Sequence, residues 1–189
     1  MKRQPLRVGF DLDGVLLYNP ARIARPVIVF LKKLFIPKEQ NKFHLPKNKL
    51  QKLLWFILHK SSFTISAGYN DLKQLVNEGR IETFIVSGRY DSLKTDFNAW
   101  LNKLEAKKYF KSCHYNRVDE QPNLFKEKII KKLNLDIFIE DNWDIVRHLS
   151  KKTDAKIFWI YNLLDRNIKY KYKFPSLKKA VAELNKLST

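Results

Sequence analysis

At 189 residues, 44% of them hydrophobic and 13% aromatic, the chain is long and apolar enough to bury a sizeable core, which excludes a disordered chain and fits one domain carrying an insertion. One cysteine, Cys113, excludes an internal disulfide framework, no apolar run reaches bilayer length, and no signal-peptide pattern opens the chain, so a cytoplasmic protein is expected. The net charge of +18 sits at the two ends, +10 over residues 1–70 and +7 over 151–189 against +1 between them, which suits an anionic substrate, a nucleic acid or, less, a peripheral contact with an anionic membrane.

The first element is a short apolar strand ending in V-G-F-D-L-D-G-V-L, residues 8–16. Asp11 and Asp13 lie at its carboxyl end, and strand alternation predicts that they share a side. Two carboxylates so close call for a cation or a shared proton between them; the alternative is an ordinary surface turn. Residues 18–66 differ in character, with ten basic residues against one acid, Glu39. Apolar positions 27, 28, 31, 34 and 35, and again 50, 53, 54, 57 and 58, predict two amphipathic helices.

From Gly68 the chain alternates helix and strand. A helix is predicted over 71–78, ended by Gly79, then a strand over 81–86 running into Ser87-Gly88-Arg89. Asp91 is expected to cap a helix through Leu104, a weaker strand covers 112–115, and Asn123 is expected to cap a helix through Leu133. The strand over 136–139 ends in Glu140-Asp141-Asn142-Trp143-Asp144. A fifth strand over 156–161, an irregular basic connection and a helix from Ser176 complete the chain. Strands separated by helices imply crossover connections, hence an α/β fold: a Rossmann-like, mainly parallel sheet with helices on both faces. In such sheets ligands collect at the carboxyl ends of the strands, where all three polar clusters fall.

Asp11 with Asp141 can offer oxygen ligands to Mg²⁺, a small cation that also takes phosphate oxygens. Ser87, with its hydroxyl and neighbouring backbone N–H groups, can hold an oxyanion. A carboxylate attacking phosphorus needs its charge quenched by such a metal and by a lysine. Lys126 is the candidate, because it opens a helix where the macrodipole disfavours a cation, and Lys128 is its competitor.

Together, D-L-D-G-V-L after a first strand, S-G-R after a second, a lysine opening a later helix and I-E-D-N-W-D after the next strand resemble the haloacid dehalogenase-like (HAD) superfamily, on its phosphatase branch. The resemblance implies a Rossmann-like core over 1–17 and 67–189 and a small helical cap over 18–66. It also implies an aspartyl-phosphate mechanism, with Asp11 as nucleophile, Asp13 as general acid/base and, through its backbone carbonyl, a metal ligand. Ser87 would bind the phosphoryl group, Lys126 would offset charge, and Asp141 would ligate Mg²⁺. Glu140 and Asp144 would ligate, hold metal-bound water or orient the site. No glycine precedes the acids of the last motif, a departure from the most familiar pattern. Asp13 favours phosphoryl transfer over dehalogenation, which has no leaving alcohol to protonate.

Specificity is expected from the cap. Arg22, Arg25 and Arg89 are candidates to grip a second anionic group, with Gly88 beside Ser87 lining the phosphate site; Tyr18, Phe43 and Trp55 are candidates to stack on a ring. E-D-N after the fourth strand and Y-N-L-L-D-R-N after the fifth weakly resemble 5'-nucleotidase-like members. The reading is a Mg²⁺-dependent phosphomonoesterase for a small phosphorylated substrate, a nucleotide being the first candidate. The alternatives are a nucleic-acid-end phosphatase using the basic flanks and a non-catalytic module docking on anionic surfaces.

Overall fold

In a computed structural model of the chain, the structure describes residues 4–19 and 64–188. Six parallel strands form one sheet in the order β5-β4-β1-β6-β7-β8: β1 (Leu6–Phe10), β4 (Ile81–Tyr90), β5 (Ser112–Asn116), β6 (Ile137–Glu140), β7 (Lys156–Ile160) and β8 (Lys173–Phe174). Among the described residues six helices accompany them: α1 (Tyr69–Asn77), α2 (Lys94–Lys103), the single turn α3 (Ala106–Tyr109), α4 (Pro122–Lys132), α5 (Trp143–Lys152) and α6 (Leu177–Leu187). The chain runs from β1 outward to β4 and β5, then returns to place β6 on the other flank of β1. That reversal makes the carboxyl end of β1 the natural ligand crevice.

The period-2 pattern of the strands builds two cores. Val8, Phe10, Ile81, Ile85, Ile137, Ile139, Phe158 and Ile160 pack with α1, α2 and α6, whereas Phe84, Val86, Phe138, Ile157 and Trp159 pack with α4 and α5. Parallel strands covered on both faces read as nearly continuous apolar runs, which is why I-F-I and I-F-W-I were legible as buried strands. Each large apolar side chain buried here contributes about 1.5–3 kcal/mol.

Two further strands, β2 (Leu17–Tyr18) and β3 (Thr64–Ile65), pair antiparallel beside the main sheet. Ser66 N–H donates to the Leu16 carbonyl at 2.9 Å, so the chain leaves the core at Tyr18 and re-enters beside the same point. The expected cap helices, with Arg22, Arg25, Phe43, Trp55 and Phe56, lie outside the described residues. Among the described residues, no helix is long and apolar enough to cross a membrane.

The structure departs from the sequence pattern at several ends. β4 continues through Ser87-Gly88-Arg89 to Tyr90, with an irregularity in its pairing to β5 between Ser87 and Tyr90, where a loop was expected. Asp91 opens a 3-10 turn and accepts from the Tyr115 hydroxyl rather than capping a helix. α4 begins two residues early: Gln121 is its N-cap and Pro122 takes the first position, where a missing N–H costs nothing, so Asn123 caps nothing. The short β8, hidden in the basic connection, is fixed by backbone bonds of Trp159 and Tyr161 to the carbonyls of Tyr172 and Phe174.

Candidate active site

β1 stops at Phe10, so Asp11 and Asp13 stand just past the strand on a tight loop. The loop is closed by Gly14 N–H to the Leu17 carbonyl at 2.8 Å and Leu17 N–H to the Leu12 carbonyl at 2.9 Å. Gly14 has φ +77°, and a Cβ there would lie 2.3 Å from Asp141 Oδ2. Glycine is needed twice over, for the left-handed turn and for the approach of the Asp141 carboxylate.

Asp11 is buried, and Asp11 N–H donates to the Ile139 carbonyl of β6 at 2.9 Å, which ties it to the strand carrying Glu140 and Asp141. Its Oδ1 accepts from Leu12 N–H at 2.8 Å. Its Oδ2 lies 2.8 Å from Lys126 Nζ, and the same ammonium donates to Glu140 Oε2 at 2.6 Å. Lys126 is 2% exposed, while Lys128 faces solvent on the same helix. Gly88 makes room for this arrangement: a Cβ there would lie 3.2 Å from Pro122 and 3.6 Å from Lys126 Cε.

Carboxylate oxygens of Asp11, Glu140 and Asp141 lie within 4.8 Å of one another, the one such group of potential metal ligands among the described residues. Three carboxylates against one ammonium leave a formal charge of −2. Burial pushes the Asp11 carboxyl well above its ordinary range; Lys126 opposes this, and Glu140 and Asp141 add to it. Burial alone would pull Lys126 down, but Asp11 and Glu140 outweigh it and hold the ammonium above its usual value. The Lys126 proton is the firm one, and burial, with the charges of Glu140 and Asp141 added to it, is what makes Asp11 reluctant to ionise.

A hard divalent cation fits this donor set of carboxylate oxygens without nitrogen or sulfur. Of the three acids, Asp141 is partly exposed, Asp11 is buried and Glu140 is fully enclosed. Glu140 already accepts from Lys126 through Oε2 and from Asn142 N–H at 2.9 Å through Oε1, so it orients the lysine and the turn into α5. The Asn142 side chain caps that helix, accepting from Asp144 N–H at 3.0 Å. Asp144 is turned outward, 3.6 Å from Arg147. Trp159 Nε1 donates to the Asp141 carbonyl at 3.1 Å, a support that the sequence did not single out.

Ser87 is buried within β4, three residues before the strand ends, and its Oγ accepts from Arg89 N–H at 3.3 Å. Arg89 was expected to grip the substrate. It is instead 1% exposed, with Nε and Nη2 donating to the two oxygens of Asp13 at 2.7 and 2.8 Å, and Nη1 donating to Asp96 of α2. The two aspartates of the opening motif thus serve different partners: Asp11 faces Lys126, and Asp13 faces Arg89. Asp96 was missed from sequence; its one signal was an acid in the first turn of the helix that follows S-G-R.

No family model matches the chain, and no curated protein sequence does. Solved structures do match. A HAD-superfamily hydrolase from Ehrlichia chaffeensis superposes with TM-score 0.53 at 16% identity, covering 100% of both chains. The chain has a HAD-like fold. A protein assigned as a β-phosphoglucomutase from Thermotoga maritima matches the fold with TM-score 0.59 at 15% identity, over 96% of this chain and 99% of its own. CbbY from Rhodobacter sphaeroides, solved in complex with phosphate, matches with TM-score 0.59 at 13% identity, over 95% and 98%.

Proposed function

We propose that the protein is a phosphohydrolase, a Mg²⁺-dependent phosphomonoesterase that works through an aspartyl-phosphate at Asp11. The observation that carries the reading is the buried Asp11 carboxylate at the end of the central strand, 2.8 Å from Lys126 and beside Asp141 and Glu140. The HAD-like fold supports it, and so does the phosphate bound by one structural neighbour.

In this reading Asp11 attacks the phosphorus of the ester, and the bond from phosphorus to the leaving oxygen breaks. Asp13 gives its proton to that oxygen, then takes one from the water that attacks the aspartyl-phosphate, releasing phosphate and restoring Asp11. Lys126 offsets charge on Asp11 and on the phosphoryl oxygens. Ser87, whose Oγ already accepts from the backbone, keeps its hydroxyl proton for a phosphoryl oxygen. Asp11, Asp141 and the Asp13 carbonyl would hold Mg²⁺, with Glu140 behind them; bound there, it supplies positive charge for the phosphoryl oxygens.

The substrate is a small phosphorylated molecule, with a nucleotide the first to test, and residues 18–66 are the cap that selects it. The net charge of +18 favours one second reading, a phosphate on a nucleic-acid end. A screen of nucleotides, sugar phosphates and phosphorylated oligonucleotides with Mg²⁺ tests both. Release of phosphate from none of them refutes the phosphohydrolase. Release from oligonucleotides alone, weakening steeply with salt, favours the second reading.

A further inference from the structure

Among the described residues, Arg89 is the largest charged side chain enclosed, and the reaction above leaves it without a task. Its side chain is 0% exposed, whereas those of its partners Asp13 and Asp96 are 16% and 21% exposed. Both Asp13 oxygens accept from it in a fork, a geometry that lysine cannot reproduce. A third donor, Nη1, is taken by Asp96. The residue after Asp96 on α2, Phe97, is in the core and packs on Tyr115 of β5 with ring centroids 5.1 Å apart.

We propose that Arg89, braced by Asp96, is a positioning residue for Asp13: it fixes the plane and direction of the carboxylate that exchanges the proton, and it does not grip the substrate. The inference rests on the phosphohydrolase reading. A free Asp has a broad χ2, so its proton-carrying oxygen has no fixed direction. The fork removes that freedom, because it holds both oxygens at once. A buried ion pair of this kind is weak as a stabiliser, since desolvation consumes most of the attraction, so orientation is the gain it offers. Asp13 keeps 16% of its side chain exposed although the guanidinium that holds it is enclosed.

The distinguishing readout is dependence on the leaving group. A departing nitrophenolate needs no proton in its transition state, whereas a departing alkoxide does. Wild type, Arg89→Lys, Asp96→Asn and Asp13→Asn are compared as full chains with Mg²⁺ on 4-nitrophenyl phosphate and on glycerol 2-phosphate. Because Asp13 also serves the water that attacks the aspartyl-phosphate, a step common to both esters, the first turnover is read by rapid quench. Arg89→Lys should slow leaving-group release about 10- to 100-fold from the alkyl ester and less than about threefold from the aryl ester, with KM nearly unchanged, the pattern of Asp13→Asn in milder form. Asp96→Asn should show the same skew, about threefold to tenfold. Should Arg89→Lys fail to fold, Asp96→Asn carries the test. A rise in KM at an unchanged first-turnover rate would make Arg89 a substrate grip, and an equal loss of first-turnover rate on both esters would make it purely structural; either overturns the proposal. If wild type hydrolyses neither ester, the phosphohydrolase reading itself fails, an outcome distinct from an active wild type whose Arg89 and Asp96 variants show no skew.

Discussion

Replacing Lys126 by methionine keeps the length of the side chain and removes the ammonium between Asp11 and Glu140. At an effective permittivity of about 20, unit charges at the observed 2.8 and 2.6 Å attract by about 6 kcal/mol each. Burying three charged groups consumes most of that, and loss of one partner from a buried pair costs about 3–5 kcal/mol. The raised Lys126 keeps its contribution in full below its ordinary value of 10.5 and loses it only as pH rises above that. Asp11 is raised from 3.8, so protonation favours the native state, and that support fades as pH climbs through its native value. Without Lys126 to oppose the burial, Asp11 rises further. The deficit of Lys126→Met is therefore small near pH 4 and grows to about 3–5 kcal/mol at pH 7–8 in chelator; Mg²⁺ shrinks it. Denaturant melts of both proteins across pH, with and without Mg²⁺, measure it. A deficit below about 1 kcal/mol at pH 7 in chelator, or one that ignores pH, refutes the account of the cluster.

Gly14→Ala places a methyl carbon against the Asp141 carboxylate at a left-handed φ, so it should cost about 1–3 kcal/mol and weaken Mg²⁺ binding about tenfold. Thermal melts and calorimetric titration report the two effects. Asn142→Ala removes the cap of α5 and should cost about 1 kcal/mol in a denaturant melt, since the first-turn N–H groups of Asp144 and Ile145 lose their acceptor.

The strands and most helices were legible because a sheet covered on both faces demands apolar runs, and F-I-V and I-F-W-I have no other use. The acids at 11, 13, 140 and 141 were legible because polar residues that interrupt such runs at their carboxyl ends land on one edge. What the sequence hid was direction. Nothing in S-G-R says that β4 continues through it, which is what carries Arg89 into the interior toward Asp13. Nothing in L-D-I-F-I-E-D tells that Glu140 faces Lys126 while Asp141 nestles against Gly14. Lys126 and Lys128 are equivalent in composition, and only the helical phase set by Pro122 at its start buries one and exposes the other.

The account stands on Asp11 as the atom that takes the phosphoryl group. Acid-quenching the protein with a turned-over phosphomonoester and Mg²⁺, then mapping the label by mass spectrometry, tests this directly. A phosphoryl adduct on the peptide containing Asp11, absent together with turnover in a folded Asp11→Asn variant, is the predicted result. Turnover that survives Asp11→Asn, or an adduct on another residue, would contradict it.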